Sequence, residues 1–294
     1  MNSRISIEEA IAAEYSGLSA KLRTAADYVA ANPIDVSTRS LRSISLSSGV
    51  SPATFSRLAR ALGFDTYEAM RELSRSAIGR SSISFSEKAG RIVADAGTGK
   101  QPPFLERQAA ACIANIAALP KLIDAQRLDT AVEALHKARN VVVYGAYGST
   151  GIIEYLSYMA NFVTPKWSMA GRMGASVSTT LTHLSEQDAV IILTKPPFAR
   201  RSILTAEMAR EKGAYVIVIT DTHTCPAVKY ASNTFIIPTD SPQFFSSYAA
   251  TLVLLETMIG MLVERSGKDA ELRINTVESG NRRLEDFWSG DDEE

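Results

Sequence analysis

VVVYGAYGSTG, residues 141–151, reads as a buried strand that breaks at a glycine-bearing turn and restarts as a helix. Three valines and a tyrosine in succession favour a strand, and Gly145, Gly148 and Gly151 let the backbone turn sharply or close on a ligand. Strand, turn and helix start together make an anion cradle, because the first helical N–H groups have no partner within the helix. A dinucleotide-binding turn of this kind also needs an acid about 20 residues further on, to hold a ribose hydroxyl. That region reads WSMAGRMGAS, 167–176, and carries none. Ser149 and Thr150 bring hydroxyls to the helix start instead. Gly145, Ala146, Tyr147, Gly148, Ser149 and Thr150 are therefore candidate contacts to a small anionic or polyhydroxylated ligand.

Outward from this turn, NVVVY (140–144), AVIILT (189–194), YVIVIT (215–220) and NTFIIP (233–238) are near-continuous apolar runs, as in parallel strands covered on both faces. A shorter strand is expected near 166–169. GIIEYLSYMANFV (151–163), RSILTAEMAREKG (201–213) and CPAVKYA (225–231) are each about long enough to cross back over a sheet. Residues 103–120, 125–139 and 246–266 read as further helices. The alternation predicts a doubly wound α/β domain. In its closing helix Leu252, Leu255, Ile259 and Leu262 share one face while Val253, Met258 and Met261 lie on others, so a partner subunit is expected over part of it.

The N-terminal third has a helical period throughout. LSAKLRTAADYVAANP (18–33) sets Leu18, Leu22, Ala25 or Ala26 and Val29 on one face, with Pro33 as a stop. LRSISLSSGVSPATFSRLARALGF (41–64) divides at Gly49, with Ser45 small, Val50 a plug, Ser51 an N-cap and Pro52 at the first helical position. Phe55, Leu58, Ala59 and Leu62 form the inward stripe. Ser51, Ala53, Thr54, Ser56, Arg57 and Arg60 are left outside, the pattern of a helix-turn-helix whose second helix enters the major groove of double-stranded DNA. Residues 39–80 hold seven arginines against three acids, a net charge of +4 that suits this partner.

Composition bounds the rest. The 294 residues are 46% hydrophobic and 21% charged, which excludes disordered and fibrous classes. No run approaches the ~20 apolar residues of a membrane span, and the acidic start MNSRISIEEAIAAEY is unlike a signal peptide, so a cytoplasmic protein with no membrane partner is expected. Two distant cysteines and three scattered histidines predict neither a disulfide framework nor a metal site, and no cofactor is expected. The last ten residues carry six acids and no base, as in a solvated tail.

GVSPATFSRLARALGF followed by GAYGST, AVIIL, GAYVIVITD and a final helix resembles the RpiR (MurR/RpiR) transcriptional regulators, over about Leu18 to Arg265. These join an N-terminal helix-turn-helix to a C-terminal SIS, or sugar isomerase, domain. The resemblance implies a flavodoxin-like sheet order, with phosphosugars bound by the loops after the first and third strands, at the topological switch point. The second loop departs from the family. Where SIS domains commonly show S-x-S-G-x-T, this chain has LTKPPFARRS (193–202), in which Pro196 and Pro197 remove two N–H donors. Thr194, Lys195, Arg200 and Arg201 are the ligand candidates there, with recognition resting on side-chain charge. Ser241, Gln243 and Ser246 line the site if their loop folds over it, and Phe244 and Phe245 are read as packing residues.

The resulting expectation is a DNA-binding regulator, not an enzyme: a helix-turn-helix domain over 1–80, a linker over 81–103, an effector-binding and oligomerisation domain over 104–270 and an acidic tail over 271–294. A sugar phosphate or related acidic carbohydrate would relieve repression, and a homodimer or homotetramer would read a palindromic operator. The rival is an aldose–ketose sugar-phosphate isomerase. His183, His223, Glu154 and Glu186 are its available acids and bases, and they form no constellation in the sequence.

Overall fold

A computed structural model describes residues 7–32, 36, 40–73, 85–96, 101–172 and 174–286. They form two compact units, one within residues 1–91 and one covering most of 92–294.

The first unit packs α1 (Ile7–Glu14), α2 (Ala20–Ala31), α3 (Leu41–Ser48) and α4 (Pro52–Ala61), with a further helical stretch at 67–73. Its core takes Ala25, Ala26 and Val29 from α2, Ile44 from α3, and Phe55, Leu58 and Ala59 from α4. The stripes read from helical spacing are thus the buried ones. The Phe55 ring meets Tyr28 and Tyr67 edge-on, at centroid distances of 6.1 and 6.2 Å. Gly49 ends α3 in the left-handed region at φ 69°, where glycine carries no steric penalty. Pro33, Arg39, Arg75 and Arg80 lie outside the described residues.

Within the stretch read as a linker, α5 (Phe85–Ala96) is a helix. The second unit then runs α6 (Phe104–Leu122), α7 (Ala125–Lys137), β1 (Val141–Gly145), α8 (Ser149–Val163), β2 (Trp167–Met169) and α9 (Val177–Thr182). β3 (Ala189–Leu193), α10 (Arg200–Glu211), β4 (Tyr215–Thr220), β5 (Asn233–Ile236), α11 (Ala249–Ser266) and α12 (Lys268–Arg283) complete it. All four strand pairings are parallel, in the order β2-β1-β3-β4-β5. Val141, Val143, Ile191, Leu193, Ile217 and Ile219 alternate along three strands into one core with α7, α8 and α11. α10 packs on β1, β3 and β4. Burial on both faces explains why the central strands are continuous apolar runs.

Three expectations differ from the structure. CPAVKYA contributes only a 3-10 turn, Val228–Tyr230. The stretch from 271, read as solvated tail, is most of α12, whose Ala270 is fully buried. Asp269 and Glu271 in its first turn and Arg282 and Arg283 in its last complement the helix dipole. Residues 287–294 lie outside the described residues. Finally, most of the apolar surface of α11 packs within its own chain, with Leu252 left partly buried. Leu254, Leu255, Met258 and Leu262 are buried, and Val253, Ile259 and Met261 pack partly buried against the same core. Exposed apolar side chains sit on α6 instead, where Leu105 is 80% and Ile113 67% exposed.

Candidate functional site

In the helical unit, Ser51 caps α4 by accepting from the Thr54 N–H at 3.3 Å. Ser51, Ala53, Arg57 and Arg60 are exposed and Ser56 is half-buried. The structure therefore presents a small-residue helix start followed by two guanidinium groups one turn apart. Arg57 donates from Nε to the Ala53 carbonyl at 3.4 Å, a long bond that a stronger acceptor would displace. Thr54 corrects the sequence reading. It is 5% exposed, and its hydroxyl lies 2.8 Å from the Ser51 hydroxyl. As the third residue of the helix its side chain turns back on the cap, so it fixes the start of α4 and is withdrawn from any facing partner.

In the α/β unit, the turn after β1 answers the question its glycines raise. A Cβ on Gly145 would stand 3.0 Å from the Ser149 carbonyl and 3.1 Å from Ile153 Cγ2, so a side chain there would press the helix start away from the strand by a few tenths of an ångström, roughly. Tyr147, not a glycine, takes the left-handed conformation, at φ 53°, and its side chain is 77% exposed. A Cβ on Gly148 would meet the Tyr248 hydroxyl at 3.5 Å, and one on Gly151 would meet nothing within 4 Å. Ala146 is half-buried. Ser149 is buried, its hydroxyl 2.9 Å from that of Tyr248, while Thr150 donates to the Gly145 carbonyl at 3.4 Å.

Tyr248 links this turn to the loop after β3. Lys195, 7% exposed, donates from Nζ to the Ser247 carbonyl at 3.1 Å and to Thr251 Oγ1 at 3.2 Å. The same ammonium stands 3.7 Å from the centroid of the Tyr248 ring, a cation–π contact. Burial pushes the Lys195 amine down to about 7, with the Asp221 carboxylate at the end of β4 acting the other way. Burial also raises the Tyr248 phenol, opposed by the Ser149 hydrogen bond and reinforced by Asp221. Asp221 is itself oriented by the Thr239 hydroxyl at 3.0 Å. The ends of β1, β3 and β4 and the start of α11 thus converge on one amine, one phenol and one carboxylate.

Thr194 is buried and its N–H continues the sheet to the Ile219 carbonyl at 3.1 Å. Arg200 and Arg201 are exposed at the first two positions of α10, whose first turn holds no acid. Like charge at a helix N-terminus costs a few tenths of a kcal/mol, roughly, unless an anion is bound there. Burial raises the Tyr144 phenol, and the positive charge of Arg201 lowers it against that.

Residues 240–248 are held by α6. Buried Asn115 donates to the Asp240 carbonyl at 2.8 Å and accepts from the Asp240 N–H at 3.2 Å, and the Ser241 hydroxyl donates to Gln108 Oε1 at 3.1 Å. The Gln243 N–H donates to Ser241 Oγ at 3.3 Å, Ser246 is half-buried, and Phe244 and Phe245 pack at a centroid distance of 4.7 Å. Sequence reading missed Tyr248, Asp221 and Asn115. A single amide inside the apolar run ACIANIAAL was the available signal for the last.

The acid–base candidates of the isomerase reading are dispersed. Glu154 pairs with Arg172 at 3.1 Å on α8, His183 follows α9 in an exposed position, and Glu186 and His223 are exposed. Among the described residues no group of His, Cys, Asp and Glu has the arrangement of a metal site, and no helix is long and apolar enough to cross a membrane.

Residues 5–77 match the model of the rpiR-family helix-turn-helix domain, and residues 134–261 match the SIS domain. Among solved structures, the chain is similar to the sugar isomerase domain of an RpiR transcription factor from Sphaerobacter thermophilus, at 19% identity and TM-score 0.55, over 58% of this chain and 96% of that one. It is also similar to the Vibrio vulnificus NanR protein complexed with ManNAc-6P, at 18% identity and TM-score 0.53, over 95% of this chain and 99% of that one. The comparison with curated proteins gives no match.

Proposed function

From a chain that joins an rpiR-family helix-turn-helix domain to a SIS domain, we propose a transcription regulator whose operator affinity is set by an acidic carbohydrate bound at the switch point. Lys195 is the observation that carries the ligand class. A lysine amine buried between two ligand-facing loops is retained against its desolvation cost, and an anion is the group that repays it. Arg200 and Arg201 add charge where the prolines withhold backbone donors. NanR in complex with ManNAc-6P supports a phosphorylated sugar as the first ligand to try. In this reading α4 binds DNA through Ser51, Ala53, Ser56, Arg57 and Arg60, and the effector releases it by favouring an arrangement that binds the operator poorly.

Gly148→Leu provides the test. A branched side chain at that position would extend past the Cβ site, 3.5 Å from the Tyr248 hydroxyl, and crowd that phenol at the turn. Operator affinity should persist in gel shifts while the response to ManNAc-6P and to a panel of hexose phosphates and sugar acids disappears. Loss of both together, or of neither, would remove the turn from the effector site. An isomerase assay on the same panel belongs beside it. With its amine brought to about 7, Lys195 could serve as a general base, and turnover would reassign it to catalysis.

A further inference from the structure

A cavity of about 660 Å³ opens on the other side of α8, at the β2 edge of the sheet. It shares no lining residue with the switch point. Glu154, Ser157, Tyr158 and Asn161 line it from α8 at the three- and four-residue spacing of one helical face, and Arg273, Val277 and Asn281 line it from α12 at the same spacing. Arg172, just beyond β2, completes the wall. Its volume is that of a small-molecule site.

Two features give the cavity a chemistry. The first is charge. Two guanidinium groups face one carboxylate, and Arg172 engages that carboxylate, Glu154, at 3.1 Å. Arg273 lines the cavity half-buried and, among the described residues, has no carboxylate partner, while its Nε lies buried behind the wall without a hydrogen bond there. A partly desolvated guanidinium without a counter-ion is costly, and a carboxylate bound in the cavity supplies that charge. The second is an apolar wall. Tyr158 and Phe162 stack edge to face at 5.2 Å, and Met169 and Val277 extend their surface. We propose that this cavity is a second ligand site, for a small carboxylate with an aromatic or aliphatic body: the carboxylate pairs with Arg273 and the body lies on the Tyr158–Phe162 wall.

Isothermal titration of the full-length chain with phenylacetate and octanoate, beside phenylacetamide and octanamide, tests this. The carboxylates should bind, and the amides should bind at least about tenfold more weakly. Arg273→Gln should weaken the carboxylates by about tenfold or more while leaving the amides unchanged, and Val277→Trp, which fills the apolar end, should weaken both. Thermal melts of each variant identify a failed fold, in which case the other variant decides. No heat from either carboxylate at about 10 mM, equal binding of acid and amide, or unaltered binding in both folded variants would overturn the proposal.

Discussion

Lys195 shows how much a single side chain can reveal about the demands on a site. Its amine titrates near 7 in the folded chain against about 10.5 when free, so between those values the native state holds fewer protons than the unfolded one. Stability therefore rises with pH across that window, and the full penalty is present below about 7. At about 1.4 kcal/mol per unit the upper bound is roughly 4–5 kcal/mol, part of it returned by the contacts to Ser247, Thr251 and the Tyr248 ring. Lys195→Met should accordingly stabilise the protein by up to about 3 kcal/mol at low pH, less at higher pH, and abolish the response to acidic effectors. Urea melts at pH 6 and pH 9 check the sign, and a variant less stable than the parent at pH 6 would contradict it. The charge of Lys195 was legible in the sequence because a lysine between a buried strand and two prolines is out of place. Tyr248 was not, since an aromatic at a helix start reads as core until the fold brings Ser149 within 2.9 Å of it.

α4 can be read at the level of an element, since its cap, its stripe and its exposed arginines agree. In the proposed docking, Arg57, nearer the N-terminal end, meets a base edge and Arg60, one turn on, a phosphate. Arg57→Ala should cost about 1–3 kcal/mol of specific operator binding, and Arg60→Ala should lower the salt dependence while sparing base preference. Competition binding against scrambled operators at two salt concentrations separates the two. Exchange of these behaviours would mean that the helix docks in the opposite sense. Periodicity located α4 well, because its inward positions are apolar and its outward ones are not. The same reasoning misplaced Thr54, because a side chain in the first helical turn answers to the cap before it answers to the helical wheel. It also missed α12, whose exposed positions are mostly charged or polar and in which only Ala270 is buried.

For the whole molecule, the order of domains and the strand order were open to the sequence, but the surface that remains uncovered was not. Long apolar helices look alike until their neighbours are known, and α11 buries most of its apolar surface in its own domain while α6 shows Leu105, Ala109, Ile113 and Ile116 along one outward face. Residues 100–294 should therefore remain at least dimeric at micromolar concentration, and Ile113→Glu should shift the weight-average mass in sedimentation towards the monomer. A fragment that is monomeric before any substitution would leave α6 without this role. Two helix-turn-helix domains held by such a dimer would meet operator half-sites about 34 Å apart. One further consequence follows from Asn115, whose amide imitates a neighbouring strand by both giving to and taking from Asp240. α6 is the first helix the chain forms after the stretch that leads from the DNA-binding unit, so the loop proposed to close over the effector is fastened to the doorway of its own domain. Communication through a doorway runs both ways. If an effector weakens operator binding as proposed, the operator must weaken effector binding by the same factor, and a promoter occupied by this protein would raise the concentration of metabolite needed to open it.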